Sequence, residues 1–436
     1  MYVIIDKMMQ YKLEALFLLC LLFLIGGLYL GQISFFAVPI LLVAALILLR
    51  NFEWAYYCYF LLVPFSVEVE LPGGLATDLP TEPFMWFLTG VGTLLFIHRL
   101  DKISFSKYQS PITLILLLHL LWIGISILFS THTLISFKWF LAKLWYIIPF
   151  YFGAFHFLYN NEQFIKVLKF TFWPLMVAVL WVLKRHYGYD FSFDTSNIVV
   201  YPIFRNHVNY ASAVVLFLPF VWLLYTSSRQ SFYKWIYALC FIILVIAVYY
   251  SYTRIAILCL PIGLITYFII RYRLIKWAMI GAFILFFAIV SFFVTENRYV
   301  NFAPDFEKTI THTDFDNLLD ATYKLEDIST MERVYRWVAG GHMIKEKPLF
   351  GFGPGTFYSN YQDYTIRIFE TYVSDNPDQS GVHSYYLMTA IEQGIIGFII
   401  FIALIFTILQ TGEKVYNNCK NPDTKNSIVA SIICIV

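Results

Sequence analysis

The sequence predicts an all-α fold, a polytopic membrane helical bundle of about 12 spans with one large external loop containing short helices. Three observations predict it. Hydrophobic residues make up 60% of the 436-residue chain and charged residues only 13%, against about 45–50% and about 25% in soluble domains. The apolar residues gather in runs that approach or reach the roughly 20 residues a bilayer crossing needs. Basic residues recur at every second loop, as the positive-inside bias demands. This composition excludes a soluble enzyme and a disordered chain, and a net charge of +2 offers nothing to nucleic acid.

Taken in order, the apolar runs lie near 13–30, 33–49, 54–66, 84–99, 111–130, 137–158 and 164–184. They continue near 208–226, 232–250, 252–270, 275–294 and 385–410, with a last run from about 427 to Val436 that is too short to span. Lys7 and Lys12 precede the first run, which has no small-residue cleavage site and is expected to stay as a span. The run at 54–66 is short and aromatic and ends near Pro64, which fits an interfacial or kinked segment. One set of loops carries Arg50, Arg99, Lys102, Lys107, Lys166, Lys169, Arg229, Lys234, Arg271, Arg273, Lys276, Lys414, Lys420 and Lys425. The alternating set includes 66–83, with Glu68, Glu70, Asp78 and Glu82 and no Lys or Arg. The N-terminus is therefore expected inside. The chain divides into a bundle over 1–294 with about 11 spans, an external segment over 295–384 and a C-terminal part over 385–436.

The external segment opens with Asp305, Glu307, Asp314, Asp316 and Asp320. A helix is expected from Met331 to about Lys345, ended by Pro348 and followed by a turn at Gly351, Gly353, Pro354 and Gly355. That turn has no Gly-Lys-Ser/Thr ending and no preceding strand, so it does not read as a phosphate loop. Asp314 and Asp316 read as acidic loop surface. Five of the six cysteines lie in apolar runs and read as small buried hydrophobes. No Cys/His spacing suggests a metal, and no cofactor is expected.

A charge at the centre of a span costs about 2.5–3.5 kcal/mol on insertion scales, so charges at span ends need a reason. Several are expected on the outer side. Arg205, His207 and Asn209 stand at the entrance to the span near 208–226, and Arg254 sits in the tight link Ser251-Tyr-Thr-Arg254. Arg333 and Arg336 open the external helix, and His383 precedes the span at 385. Arginine grips phosphate bidentately without losing its charge. It also snorkels to lipid headgroups, and Arg254 is the hardest of these to explain that way. His98, His119 and His156 read as hydrogen-bonded interface residues.

Together these residues resemble the O-antigen ligase and polymerase superfamily. The likeness rests on Arg333-x-x-x-Trp337, Met343-Ile344 and Pro348-Leu-Phe-Gly-Phe-Gly-Pro-Gly-Thr-Phe357. It continues in His383-Ser-Tyr-Tyr-Leu387 and Glu392-Gln-Gly-Ile-Ile-Gly397, with Ser251-Tyr-Thr-Arg254 and Arg205-Asn-His-Val-Asn209 as earlier elements. The chain has His383-Ser384 where the family commonly has His-Asn, and Thr253 where it has Ser. The resemblance implies a bacterial inner-membrane glycosyltransferase, its site facing the periplasm, that uses a polyprenyl-diphosphate-linked glycan donor. The acceptor would be a hydroxyl of a saccharide or lipid A core, of a growing chain, or of a protein. Arg205, Arg254 and Arg333 would hold the diphosphate, and His207, Asn209 and Arg336 would bind substrate. His383 would be the general base of an inverting, metal-independent reaction. Trp337 is expected mainly to pack the external helix on the spans. A glycolipid transporter is the reading from another class, and would be expected to show internal repeats and broken helices near mid-membrane.

Overall fold

A computed structural model describes residues 52–71, 75–98, 108–302, 328–370, 374–376 and 379–436. The spans expected near 13–30 and 33–49, and the acidic stretch from Asp305 to Asp320, lie outside these residues. The described chain is helical apart from one hairpin: α1 (Phe52–Leu62), β1 (Val67–Leu71), β2 (Leu75–Leu79), α2 (Thr81–His98), α3 (Pro111–Leu128), α4 (Thr133–Ile147), α5 (Asn161–Tyr187) and α6 (His207–Ser227). Then follow α7 (Ser231–Tyr249), α8 (Arg254–Arg271), α9 (Ile275–Val294), α10 (Ile328–Glu346), α11 (Tyr385–Asn418) and α12 (Pro422–Ile435). Eight helices among the described residues are long and apolar enough to cross a membrane. The protein is an all-α polytopic membrane bundle.

Local signals set the helix ends. Ser110, with Pro111 in the first turn, accepts from the Thr113 amide at 3.2 Å and starts α3. Asn160, Asn206, Ser384 and Asn421 cap α5, α6, α11 and α12 in the same way, each satisfying an amide that has no partner within the helix. The run expected at 54–66 is an 11-residue helix, α1, that passes into a 3₁₀ turn at Val63–Phe65. The acidic loop at 66–83 folds into the β1–β2 hairpin, which places Glu68 opposite Asp78.

Cross-helix contacts sort the helix ends into two layers. At one end, Thr131 donates its amide to the Phe352 carbonyl at 3.0 Å, and Tyr252 donates its hydroxyl to the Phe191 carbonyl at 2.5 Å. At the opposite end, the Ile275 amide donates to Glu413 at 3.1 Å, and Ser427 donates to Asn161 Oδ1 at 2.6 Å. Each pair joins ends that the charge alternation places on one side.

The main core lies among α5, α6 and α7, where Phe172, Val179, Val214, Val221, Leu223 and Leu244 are buried. A second core packs α10 and the 349–370 loop onto the start of α11, through Tyr335, Ala339, Met343, Phe352, Phe357, Tyr361 and Ile391. Such a core ties the 295–384 segment to the bundle.

Candidate active site at the start of α11

α10 sets the backbone that precedes α11. Trp337 Nε1 donates to the Val382 carbonyl at 2.9 Å, and Arg336 Nη1 donates to the Gly381 carbonyl at 3.4 Å. Two consecutive carbonyls are thereby held by side chains one position apart on α10. The next residue, His383, has a φ of +55°, the left-handed region that a non-glycine residue enters at a cost of about 1–3 kcal/mol and keeps only when its surroundings over-determine it. Ser384 then caps α11 by accepting from the Leu387 amide at 3.3 Å. His383 is thus fixed from both sides, and its side chain is exposed. Trp337 is not packed away as expected: its ring is 44% exposed, and its indole N–H serves Val382.

Although His383 is open to solvent on one side, partial desolvation by its neighbours holds the imidazole below its ordinary pKa, and the charges of Arg336 and Arg333 lower it further. The neutral form, with a lone pair available for a proton, is favoured. Arg336 is buried and ion-paired with Glu332 at 3.2 Å, so its charge reaches His383 from within the protein. Arg333 is half-buried about one helical turn before Arg336. The structure therefore brings together three of the expected residues, His383, Arg333 and Arg336.

The other expected residues form a second group on the same layer. Arg254 opens α8 and is half-buried. A cation there opposes the helix dipole, so helix stability does not explain it. The link before it is tightened by the Ser251 hydroxyl, which donates to the Val248 carbonyl at 2.6 Å, and by the Thr253 hydroxyl, which donates to the Ser251 carbonyl at 3.2 Å. Tyr252 ties this link to the α5–α6 connection through Phe191. On that connection, His207 pairs its Nδ1 with Asn197 Oδ1 at 2.7 Å, and Asn209 is exposed on the first turn of α6. Arg205 is exposed, with its Nε 3.5 Å from Glu68 on the hairpin. There it offsets the repulsion that Glu68 and Glu82 add to burial in raising the Asp78 carboxyl above its usual range.

Behind His383, α11 is broken at Gly394, where φ is +70° and ψ is −179°. All three carbonyls before the break find donors elsewhere. Ile391 accepts from the Phe352 amide at 3.0 Å, Glu392 from the Gly353 amide at 2.9 Å, and Gln393 from Trp122 Nε1 at 2.9 Å. The freed Ile395 amide donates to the Pro348 carbonyl at 2.8 Å. This accounting is what irregular backbone inside a membrane protein requires. A Cβ at Gly394 would meet the Leu349 carbonyl oxygen at 2.1 Å, and one at Gly353, whose φ is +105°, would meet Ser130 Oγ at 2.1 Å. The 351–357 turn is therefore a clasp on α11.

The buried Glu392 side chain completes the clasp. It accepts from the Phe357 amide at 3.2 Å and faces the amides of Gly355 and Thr356. His119 Nε2 lies 3.0 Å from Gln393 Oε1, hydrogen-bonded as expected but buried in the middle of α3 rather than at an interface. Phe350 stacks on Trp122 and Phe129, and Phe357 stacks on Tyr361, so these rings pack the clasp rather than form a sugar platform. Two residues near the site escaped sequence reasoning. Glu392 stood inside a quoted motif without a role, and Lys143 stood inside an apolar run.

Comparison with known families matches residues 239–402 to the family model described as O-Antigen ligase. The matched stretch contains Arg254, Arg333, Arg336, His383 and the whole clasp, whereas Arg205, His207, Asn209 and Lys143 precede it. A search of curated proteins found no match.

Proposed function

We propose, from the match of residues 239–402 to the O-Antigen ligase family model, that this membrane protein is a glycosyltransferase that moves a glycan from a polyprenyl-diphosphate carrier to a hydroxyl acceptor. The reaction takes place at the periplasmic face of a bacterial inner membrane. The observation that carries the reading is His383, held in a left-handed backbone by α10 and kept neutral beside Arg333 and Arg336.

His383 accepts the proton of the acceptor hydroxyl, and the oxygen attacks the anomeric carbon of the donor sugar. The carbon–oxygen bond to the diphosphate breaks with inversion, and the carrier leaves as its diphosphate. Arg333, Arg254 and Arg205 receive the charge that develops there, an electrostatic part worth about 10²–10³ in rate per group. Arg336, buried against Glu332, orients the backbone before His383 and holds the imidazole neutral. His207 and Asn209 contact the donor on the α6 side. No metal and no cofactor enters the scheme, since the leaving group is already activated and the guanidinium groups balance its charge.

The break in α11 is a feature a glycolipid transporter would also have. Its carbonyls, however, are occupied by Phe352, Gly353 and Trp122, which leaves them closed to a passing substrate and favours the enzyme. The test is His383→Ala in a cell whose glycan profile is recorded. Transfer is expected to stop, with protein levels in the membrane unchanged. Carrier-linked long chains would accumulate if the acceptor is lipid A core, and single units if it is a growing chain. A near-normal profile would sink the assignment.

A further inference from the structure

α4 carries a cation that the proposed scheme does not use. Lys143 lies within the Thr133–Phe157 candidate span, where an ionisable group marks a function by default and its counter-charge must be found. Its Nζ donates to the Tyr385 hydroxyl at 2.7 Å and lies 5.0 Å from the ring centroids of both Trp139 and Tyr385. Among the described residues no carboxylate pairs with it. The acid within its electrostatic reach, Glu392, is committed to the amides of the clasp. A neutral phenol and two rings solvate an ammonium without neutralising it, and among the described residues the Tyr385 hydroxyl takes one of its three N–H donors.

The position of Lys143 points to its missing anion. It shares a helix face with Ser136 and Trp139, which pack against Pro354 and Gly355 of the clasp. This face is turned toward the protein, yet Lys143 stays half-exposed. Its hydrogen-bond partner Tyr385 comes two residues after His383. The half-exposed ammonium therefore bridges α4 to the first turn of α11, the helix that His383 precedes.

We propose that Lys143, positioned by the Tyr385 hydroxyl, is a binding residue for a lipid-borne phosphate entering between α4 and α11. The proposal rests on the functional reading above. Within it, the phosphate is that of the polyprenyl diphosphate carrier, and Lys143 is a cationic arm separate from the guanidinium groups.

The test uses the full-length protein in phosphatidylcholine nanodiscs and a glycan-free polyprenyl diphosphate as probe. Lys143→Ala is expected to weaken binding about tenfold or more, the factor carried by one charge-assisted hydrogen bond, whereas Lys143→Arg retains it within about threefold. Tyr385→Phe, which keeps the ring and loses the acceptor, is expected to weaken binding about threefold. Replacing a third of the lipid by phosphatidylglycerol identifies the source. Unchanged probe binding assigns the site to the diphosphate, and competition seen in the wild type but not in Lys143→Ala assigns it to a phospholipid headgroup. Equal binding by wild type and Lys143→Ala in both lipids, with matching thermal midpoints, overturns the proposal. His383→Ala separates this from the activity itself: it should abolish transfer and still bind the probe, whatever Lys143 does.

Discussion

The indole N–H of Trp337 reaches the Val382 carbonyl at 2.9 Å and so fixes the peptide that enters His383. An exposed aromatic ring next to a proposed glycan site invites a reading as a sugar platform. Its N–H does something more specific, since the left-handed His383 backbone needs that restraint. Trp337→Phe keeps the ring and removes the donor. A single hydrogen bond of about 1 kcal/mol corresponds to a kcat about fivefold lower, with KM for the donor unchanged. Steady-state transfer kinetics check this split.

The acid limb of the pH–rate profile should report His383. Partial desolvation and the charges of Arg336 and Arg333 depress its pKa, so the neutral base persists below the ordinary value of about 6.5. Activity is lost only as pH falls through the lowered value. Arg333→Gln removes one positive neighbour and must move the limb upward, toward the ordinary value, apart from any loss of rate. A limb that stays in place would show that Arg333 does not act on the imidazole.

Arg254→Ala is expected to lower transfer by about 10²–10³, and Arg254→Lys to restore little of it, because an ammonium cannot reproduce the bidentate fork. Circular dichroism and membrane levels should stay near those of the wild type.

The clasp should be sensitive at Gly394 and Glu392. Gly394→Ala puts a Cβ 2.1 Å from the Leu349 carbonyl oxygen in a backbone that disfavours side chains. It should lower the thermal midpoint more than any substitution at the exposed Arg205–Glu68 pair, a contact worth about 0–1 kcal/mol. Glu392→Gln keeps an acceptor for the Phe357 amide but turns one carboxyl oxygen into a donor facing the amides of Gly355 and Thr356, for a loss of about 1–2 kcal/mol. Thermal unfolding in detergent orders the three.

How much of this was legible in the sequence depended on how local the cause was. The apolar runs expected from 111, 164, 208 and 385 place the starts of α3, α5, α6 and α11 at Pro111, Asn161, His207 and Tyr385 to within a few residues, because a span's hydropathy is a local property. The helix expected over Met331–Lys345 runs from Ile328 to Glu346. The hairpin was not legible, because its strands set Glu68 directly opposite Asp78, a like-charge pairing that sequence reasoning disfavours, and the Arg205 that lies against Glu68 comes from a distant loop. The conformation of His383 is imposed by side chains of α10, and nothing adjacent to it in sequence signals a positive φ. Glu392 could be quoted but not interpreted, since its partners are backbone amides, which every sequence has. Lys143 was masked by the apolar residues around it, and a lone lysine in such a run was the signal that could have found it.

The pairing of Phe352 and Gly353 with Ile391 and Glu392 stitches the 295–384 stretch into the lower framework by main-chain bonds. That stretch is consequently not a detachable module. Excised, it would lose the partners of its own turn, and the severed bundle would leave two carbonyls, those of Ile391 and Glu392, and the Ile395 amide facing hydrocarbon. Swapping this portion between homologous chains to exchange specificity should succeed only when the graft carries its own α11 with it.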